Sequence, residues 1–180
     1  GIYPEIKSPA WHAREGVDIT RLVLDALRKA GYSEHSDPVY LQCFDAAELR
    51  RIRHELGSAL KLVQLIGEDD WSPEPTDFVT MRTPQGLREL ARTVDGIGPW
   101  VNQLYETGGG HEGVRPTGLV SEAHELGLVV HPYTFRRDAL ARGFADFSEM
   151  IRFFVQEQPV DGLFTDFPGD VFAILRRIFA

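Results

Sequence analysis

The stretch Val39-Tyr40-Leu41-Gln42-Cys43-Phe44 is a nearly continuous apolar run, and a segment of helical periodicity, Ala46 to Leu56, follows it at once. Asp45 between them is a typical N-cap residue, and Gly57 is a typical helix stop. The inward positions of the helix are Leu49, Ile52 and Leu56. Strands that are buried on both faces have such continuous apolar runs, so this stretch predicts one β/α unit of a parallel sheet.

The same alternation recurs along the chain. The other predicted strands are Ile2 to Lys7, Leu62 to Ile66, Gly96 to Gly98, Leu128 to Thr134 and Leu163 to Thr165. The other predicted helices span 18–30, 85–93, 119–125, 147–158 and 171–179. Alternating strands and helices predict an α/β fold, and we expect a (β/α)8 TIM barrel, present here as a partial barrel of about six units in one domain, 1–180. An open doubly wound sheet is the alternative, although no G-x-G-x-x-G motif follows a strand.

Two local expectations accompany this pattern. The segments Ser8 to Gly16 and Glu68 to Pro84 are predicted as loops, because they lack a sustained apolar period. In the first long helix, one apolar face is predicted to point inward: Ile19, Leu22, Val23, Ala26 and Leu27.

Composition narrows the class of protein. The chain has 180 residues, of which 43% are hydrophobic and 26% are charged, with a net charge of −8. An acidic balance argues against a nucleic-acid groove, which requires clustered Lys and Arg. No apolar run approaches the roughly 20 residues of a membrane-spanning helix. Cys43 is the one cysteine, which excludes an intrachain disulfide and a cysteine-based zinc site.

Polar side chains stand at the ends of nearly all the predicted strands: Glu5, Lys7, Gln42, Asp45, Gln64, His131, Thr134 and Asp166. In a barrel, the carboxyl ends of the strands form the active face. Polar groups at strand ends also occur simply because solvent begins there, and the sequence does not separate the two interpretations. Aromatic side chains beside the strand ends are expected mainly in the core, or as an apolar wall of a substrate pocket.

Glu5 and Lys7 lie two residues apart on a predicted strand, so their side chains share one face. One hypothesis is that Glu5 binds a divalent cation and Lys7 contacts a substrate oxyanion. The alternative is a structural ion pair. One carboxylate does not complete a site for a hard cation, which needs about six oxygens or more. Asp166 is a further candidate ligand, or a turn residue that caps the next helix.

Six histidines are present, and none forms the i, i+4 pair of a zinc-binding helix. His54 and His124 are expected on helix surfaces, His35 in a polar loop and His111 in the glycine-rich stretch Thr107 to Gly113. That stretch is expected to be a flexible loop, since no Gly-Lys-Ser/Thr follows it. His12 and His131 are predicted near strand ends, within reach of the active face.

Five segments, in order, resemble the bacterial glycerophosphodiester phosphodiesterases. They are Gly1-Ile2-Tyr3-Pro4-Glu5-Ile6-Lys7, Val39-Tyr40-Leu41-Gln42-Cys43-Phe44-Asp45, Asp95-Gly96-Ile97-Gly98-Pro99, His131-Pro132-Tyr133-Thr134-Phe135-Arg136 and Asp161-Gly162-Leu163-Phe164-Thr165-Asp166-Phe167-Pro168. The first is similar to the family's E-x-K strand and the second to its Gln-Ser/Cys-Phe strand. The residues of these five segments most resemble the exported, periplasmic type of the family, which uses calcium.

The resemblance implies a TIM barrel that hydrolyses glycerophosphodiesters to sn-glycerol 3-phosphate and an alcohol such as choline or ethanolamine. It implies that Glu5 is one of three metal carboxylates and that Lys7 lies beside the phosphate. Gln42, Phe44 and Tyr133 are implied as residues that line the substrate pocket. The resemblance implies a divalent cation, calcium, as the cofactor and the periplasm as the location.

The family's His-Arg-Gly motif, its first two metal carboxylates and its His-Asp motif precede the E-x-K strand, and this chain contains none of them. We therefore assign no catalytic histidine and expect the 180-residue chain to be inactive alone. The alternatives are a non-catalytic module that binds phosphate-sugars and another metal-dependent barrel phosphodiesterase.

Overall fold

The structure is a computed structural model that describes residues 1–71, 76–108 and 113–180. It contains two compact units, Gly1–Ile97 and Gly98–Ala180, and each is described by itself. The strands are β1 (Tyr40–Cys43), β2 (Lys61–Ile66), β3 (Gly96–Pro99), β4 (Tyr105–Thr107), β5 (Val114–Pro116) and β6 (Val129–Val130). The α-helices are α1 (Pro9–Arg14), α2 (Ile19–Lys29), α3 (Ala46–Arg50), α4 (Phe78–Met81), α5 (Pro84–Leu90), α6 (Leu119–Glu125), α7 (Phe147–Arg152) and α8 (Pro168–Ile178). Strand β3 crosses the division between the units.

The strands of unit 1 are parallel, as predicted. β1 pairs with β2 in a register that places Gln42 opposite Val63 and Cys43 opposite Gln64. The first predicted strand, Ile2 to Lys7, makes only isolated parallel bridges, Ile2 to Val39 and Glu5 to Gln42. Pro4 stands between those bridges and has no N–H to donate, which shortens the regular ladder.

The first helix, α1, occupies a segment that was predicted to be a loop. Pro9 takes the first helical position, where its fixed φ suits a helix and its missing N–H costs nothing. The helix is only six residues long, so it lacks the repeated apolar period on which the sequence prediction depended. α4 is a similar short helix inside the other predicted loop, and the side chain of Asp77 accepts from the Thr80 N–H at its start.

Helix α2 matches the predicted helix 18–30 to within one residue at each end. It also has the predicted cap, since the Asp18 carboxylate accepts from the Arg21 N–H at 3.1 Å. The predicted inward face is wrong in part. Leu27 is buried as predicted, and Leu24, which was not predicted, is buried as well. Leu22 is 57% exposed, and Ala26 is also exposed. The apolar arc of this helix is broad enough to dock in more than one rotation, and packing against its neighbours selects one that turns Leu22 outward.

The second predicted helix is confirmed, with α3 running on into a π-helical turn, Arg51–Glu55. Asp45 accepts from the N–H groups of Ala47 and Glu48, and Leu49 and Ile52 are buried. The predicted helix 85–93 corresponds to the shorter α5.

Unit 2 has an aromatic core and a hairpin that the sequence did not predict. β4 and β5 pair antiparallel on either side of the glycine-rich stretch Thr107 to Gly113, of which 109–112 lie outside the described residues. The predicted strand Leu163 to Thr165 is reduced to one parallel bridge, from Phe135 to Thr165. Edge-to-face ring contacts fill the centre of the unit, and they involve Tyr105, Phe135, Phe144, Phe153 and Phe154.

Candidate functional site

Glu5 and Gln42 lie side by side at one level of unit 1. They form a parallel bridge, with Ile6 N–H donating to Gln42 O at 2.9 Å and Gln42 N–H donating to Pro4 O at 3.0 Å. Bridge partners in parallel strands project from the same face of the sheet. The Glu5 side chain is 23% exposed and Gln42 is 7% exposed, so a carboxylate and an amide meet in a largely buried layer.

The amide oxygen of Gln42 is a second indication of a site at this level. Gln42 Oε1 is buried and accepts no hydrogen bond from any of the residues that the structure describes. A buried acceptor without a donor costs about 1–3 kcal/mol, and such groups call for an explanation such as an ion or a ligand. An oxygen beside a carboxylate is the donor type that hard cations prefer.

Lys7 lies next to Glu5, as the spacing predicted. Its Nζ is 3.6 Å from Glu5 Oε2, and its side chain is 77% exposed. An ion pair this open to solvent contributes about 0–1 kcal/mol to stability. The geometry therefore fits both hypotheses, a structural pair and a cation that is available to a substrate.

Phe44 belongs to an aromatic cluster above this layer. It follows Gln42 by two residues, and its ring meets Phe78 edge to face at 6.1 Å. A Cβ on Gly67 would lie 3.1 Å from Trp71 Cε3, 3.4 Å from Phe78 Cε2 and 3.5 Å from Phe44 Cε1. The three rings thus converge where β2 ends, and we call Phe44, Trp71 and Phe78 the aromatic wall.

Gln64 is separated from the candidate site by the pleat of the sheet. It stands opposite Cys43 in the register, on the face away from Gln42. Its Nε2 donates to the carbonyls of Phe44 and Leu65, both at 2.8 Å. The sequence pattern grouped Gln64 with the other strand ends, but its position beneath the helices makes it a structural residue.

Two other strand-end groups of unit 1 also have structural roles. Asp45 caps α3. Burial raises the pKa of the Cys43 thiol to about 12, and its Sγ donates to Ile6 O at 3.2 Å. A thiol in this state is not a nucleophile near neutral pH.

Tyr133 lies in unit 2, at a parallel bridge with Trp100. Its N–H donates to Pro99 O at 3.1 Å, and its carbonyl accepts from Val101 N–H at 2.7 Å. These bonds fix the backbone of Tyr133, and its half-buried side chain remains accessible.

Asp166 does not cap the last helix. The N-cap position of α8 is Phe167, which makes no side-chain capping bond. The Asp166 carboxylate is half exposed and forms an ion pair with Arg136. The turn before α8 uses Thr165 instead, whose Oγ1 accepts from Phe167 N–H at 3.0 Å.

The histidines occupy varied environments. His54 and His124 are exposed, as predicted, and His12 lies on α1 with its ring against Trp11. His131 is only 8% exposed, and burial lowers its pKa. His111 lies outside the described residues. Across 1–71, 76–108 and 113–180, no three His, Cys, Asp or Glu side chains are grouped as a metal site.

The structure also shows two residues whose role the sequence did not reveal. Asp95 and Asp161 each bind the main chain of the preceding strand through both backbone and carboxylate. Asp95 Oδ2 accepts from Leu62 N–H and Asp161 Oδ2 accepts from Val130 N–H, both at 2.8 Å. The signal available was the dipeptide Asp-Gly before an apolar run, which occurs at both positions.

A groove of about 660 Å³ lies between α1, α2 and α3. Arg51 lines it, and its guanidinium binds Asp18 at 2.5 Å and Glu48 at 2.6 Å. Because that guanidinium is already paired with two carboxylates, the described residues that line the groove offer no free positive charge for a phosphate group.

Residues 1–170 match the glycerophosphoryl diester phosphodiesterase family. The chain belongs to this family. It is 38% identical to a glycerophosphodiester phosphodiesterase of Haemophilus influenzae over 99% of the chain and 53% of that protein. It is 33% identical to one of Treponema pallidum over 93% of the chain and 51% of that protein. The chain therefore spans about half the length of the curated relatives that it matches.

A crystal structure from Silicibacter pomeroyi that carries the same family name resembles the chain with a TM-score of 0.66 and 22% identity. The match covers 98% of this chain and 50% of that one. A likeness at this identity bears on the fold alone. Together with the family match, it confirms the predicted α/β fold of the TIM-barrel type. In a phosphodiesterase-family chain, the strand ends that carry Glu5, Gln42 and Phe44 are the expected active face.

Proposed function

We propose that the protein containing this chain hydrolyses glycerophosphodiesters to sn-glycerol 3-phosphate and an alcohol, in a reaction that depends on a divalent cation. The observation that carries the proposal is the pairing of Glu5 with Gln42 at one buried level, with Lys7 beside them. Family membership supplies the substrate class. Relatives named as glycerophosphodiester phosphodiesterases match nearly the whole chain, which supports the same activity here.

Glu5 is the residue that would hold the cation, and the chemistry of its neighbour fits that role. Gln42 Oε1 is a buried oxygen without a hydrogen-bond donor among the described residues, so it is available as a further ligand or as an acceptor for a bound water. These two oxygens make only part of a coordination shell. We propose calcium as the cation, and when bound it would polarise the phosphoryl oxygens.

The chain's own residues then bind and orient the diester. Lys7, with its exposed ammonium group, would contact a phosphoryl oxygen, and Glu5 at 3.6 Å would keep that ammonium oriented. Phe44 would line the pocket. Tyr133 stays a separate proposal as a substrate-binding residue, based on the family resemblance. Water attacks phosphorus, the bond from phosphorus to the headgroup oxygen breaks, and the alcohol leaves with a proton. We assign that proton transfer to none of the histidines in this chain.

We propose a periplasmic location for the protein, based on its likeness to the exported type. None of the helices that the structure describes combines the length and the apolar character needed to cross a membrane. Fractionation of cells that express the whole reading frame would test the proposed location, because recovery in the cytoplasmic fraction alone would contradict it.

The activity is tested with the protein encoded by the whole reading frame. Release of glycerol 3-phosphate from glycerophosphocholine is measured after chelation and after return of calcium. We expect activity only with the cation, and a loss of at least about 100-fold in Glu5→Gln. Glu15→Gln is the matched control, since Glu15 is an exposed carboxylate at the end of α1, and it should retain full activity.

Two results would overturn the proposal. Equal activity of Glu5→Gln and Glu15→Gln would return Glu5 and Lys7 to the role of a structural ion pair. Tight binding of the diester with no hydrolysis, at any cation concentration, would favour the phosphate-sugar binding module. Lys7→Met distinguishes the two roles of the lysine. If Lys7 contacts the substrate, the variant should have a raised KM, whereas if Lys7 forms only a surface ion pair, the kinetics should be unchanged.

A further inference from the structure

The aromatic wall stands directly beyond the proposed cation layer. Phe44 follows Gln42 by two residues, immediately after β1 ends at Cys43, and alternation along the strand assigns both side chains to one face. Phe44 is therefore the next side chain on the face that carries Glu5 and Gln42. A group attached to a phosphate at the Glu5 level would extend onto Phe44 and its ring partners.

Trp71 presents the open part of this wall. Its side chain is 49% exposed, whereas Phe78 is 1% exposed and forms the base of the cluster. The indole lies over the backbone of Gly67, where a Cβ would approach Trp71 Cε3 to 3.1 Å. The absence of a side chain at Gly67 lets the indole lie close to the end of β2, with part of its surface open to a ligand.

The chain beside the wall is acidic. Glu68, Asp69 and Asp70 lead into Trp71, whose N–H donates to Glu68 O at 2.9 Å in a tight turn. Glu68 is paired with Arg82 at 3.3 Å, and Asp69 accepts from the Phe78 N–H at 2.8 Å. Asp70 is exposed, and among the described residues it has no ion-pair partner.

Asp70 is the exposed residue directly before Trp71 in the chain. A carboxylate close to an aromatic face suits an alkylammonium group, because the negative ring faces and the carboxylate both attract the cation. A neutral polyol could donate hydrogen bonds to the carboxylate, but it would gain no attraction between opposite charges and would lose hydrogen bonds to water against the rings. Charge and shape therefore favour an alkylammonium headgroup over the glycerol part of the substrate at this wall.

We infer that the aromatic wall and Asp70 form a subsite for a cationic alcohol headgroup, and that Trp71 is the residue that selects it. This inference rests on the proposed phosphodiesterase function for its substrate class. It assigns the wall to the leaving alcohol, with ammonium-bearing diesters preferred over neutral ones.

The kinetic test compares glycerophosphocholine with glycerophosphoglycerol, using the protein of the whole reading frame. Trp71→Ala should lower kcat/KM for the choline diester about ten-fold and change that for the neutral diester less than about two-fold. Trp71→Phe should keep most of the preference, and Asp70→Asn should lose part of it. Trp11→Ala is the matched control, because Trp11 is similarly exposed, at 51%, but lies on α1.

An equal loss of kcat/KM with both substrates would contradict the inference. Trp71 would then contact the glycerol phosphate that both substrates share, or would only stabilise the fold. No loss with either substrate would contradict it as well. A binding measurement separates this result from failure of the phosphodiesterase proposal. Choline, and not its uncharged tert-butyl analogue, should change the tryptophan fluorescence of the wild type and of Trp11→Ala. If choline did not change the fluorescence, or still changed it in Trp71→Ala, the proposed subsite would be wrong. This result does not require an active protein.

Discussion

Asp95 in unit 1 and Asp161 in unit 2 make the same two-point contact with a neighbouring strand. Asp95 N–H donates to Leu62 O at 2.8 Å while Asp95 Oδ2 accepts from Leu62 N–H. Asp161 N–H donates to Val130 O at 3.1 Å while Asp161 Oδ2 accepts from Val130 N–H. We call each of these arrangements a strand clamp. Each one satisfies both backbone groups of a strand residue at a point where an ordinary ladder would begin.

The partners of the two carboxylates differ. Asp95 also binds Arg53 Nη2 at 2.8 Å and His35 Nε2 at 2.9 Å. Asp161 binds His124 Nε2 at 2.9 Å. Arg53 further donates to Ser58 O and Thr93 O, so the unit 1 clamp joins several loops through one guanidinium. The same backbone arrangement is thus supported by a guanidinium and an imidazole in unit 1 and by an imidazole in unit 2.

The largest expected effect comes from removal of the carboxylates. Asp95→Ala should lower the free energy of unfolding by about 2–3 kcal/mol, because Leu62 N–H loses its acceptor and the half-buried Arg53 loses its counter-charge. Asp161→Ala should cost about 1–2 kcal/mol, because no guanidinium is left unpaired. Urea unfolding measures the totals, and hydrogen exchange at Leu62 and Val130 reports each clamp separately.

The exposed pair of Asp25 with Arg28 provides the control for that comparison. Asp25→Ala should change stability by less than about 0.5 kcal/mol, since both side chains are more than half exposed. If Asp161→Ala proved as costly as Asp95→Ala, the guanidinium would contribute nothing, and the backbone contacts alone would account for both clamps.

A smaller effect is expected from Gly162, which follows Asp161. A Cβ there would lie 3.0 Å from His131 Cδ2, so Gly162→Ala should push the buried ring aside and cost about 1 kcal/mol. Gly169→Ala is the matched control, because a Cβ at Gly169 meets nothing within 4 Å and alanine suits a helix. Thermal unfolding of both variants measures the effect. If Gly162→Ala had the same Tm as the wild type, the His131 ring would be able to move aside without cost.

The smallest expected effect is a pH dependence that unit 2 owes to His131. Burial lowers the pKa of His131, and the nearby Asp161 carboxylate opposes that shift without cancelling it. The unfolded chain takes up this proton near pH 6.5, whereas the folded chain takes it up only at lower pH. The contribution of neutral His131 is therefore complete above about pH 6.5 and is lost as the pH falls toward the folded-state pKa.

Urea midpoints of the wild type at about pH 7.5 and about pH 5.5 should differ, and His131→Gln should reduce the difference. His54→Gln is the control, because His54 is an exposed histidine on the π-helical turn that follows α3. A pH dependence that is unchanged in His131→Gln would mean that other groups cause it.

Several elements of this protein follow from local sequence signals. Asp18 and Asp45 cap their helices where the sequence predicts, because an N-cap bond involves only residues two or three positions away. The alternation of apolar runs with helical segments predicted the parallel strands and the TIM-barrel class, because this pattern is also read from neighbouring residues. The resemblance that named Glu5 and Lys7 also came from short segments, and their roles stay predictions.

The sequence-based predictions were wrong where the structure of a segment depends on contacts with distant parts of the chain. Periodicity alone did not reveal that α2 turns Leu22 outward, because the rotation of a helix depends on what it packs against. Gln64 and Gln42 look alike in the sequence, but the pleat and the register put them on opposite faces. The strand clamps depend on partners 33 and 31 residues away.

The sequence by itself determined the strand and helix order, the helix caps and the family, since each depends on neighbouring residues or on short segments in order. Only the tertiary structure decided which polar groups meet. It brought Glu5 beside Gln42, gathered Phe44, Trp71 and Phe78 over Gly67, and joined Asp95 to Leu62 and Asp161 to Val130. The physical reason is that these contacts join residues far apart in the chain, and strand register and close packing set their geometry.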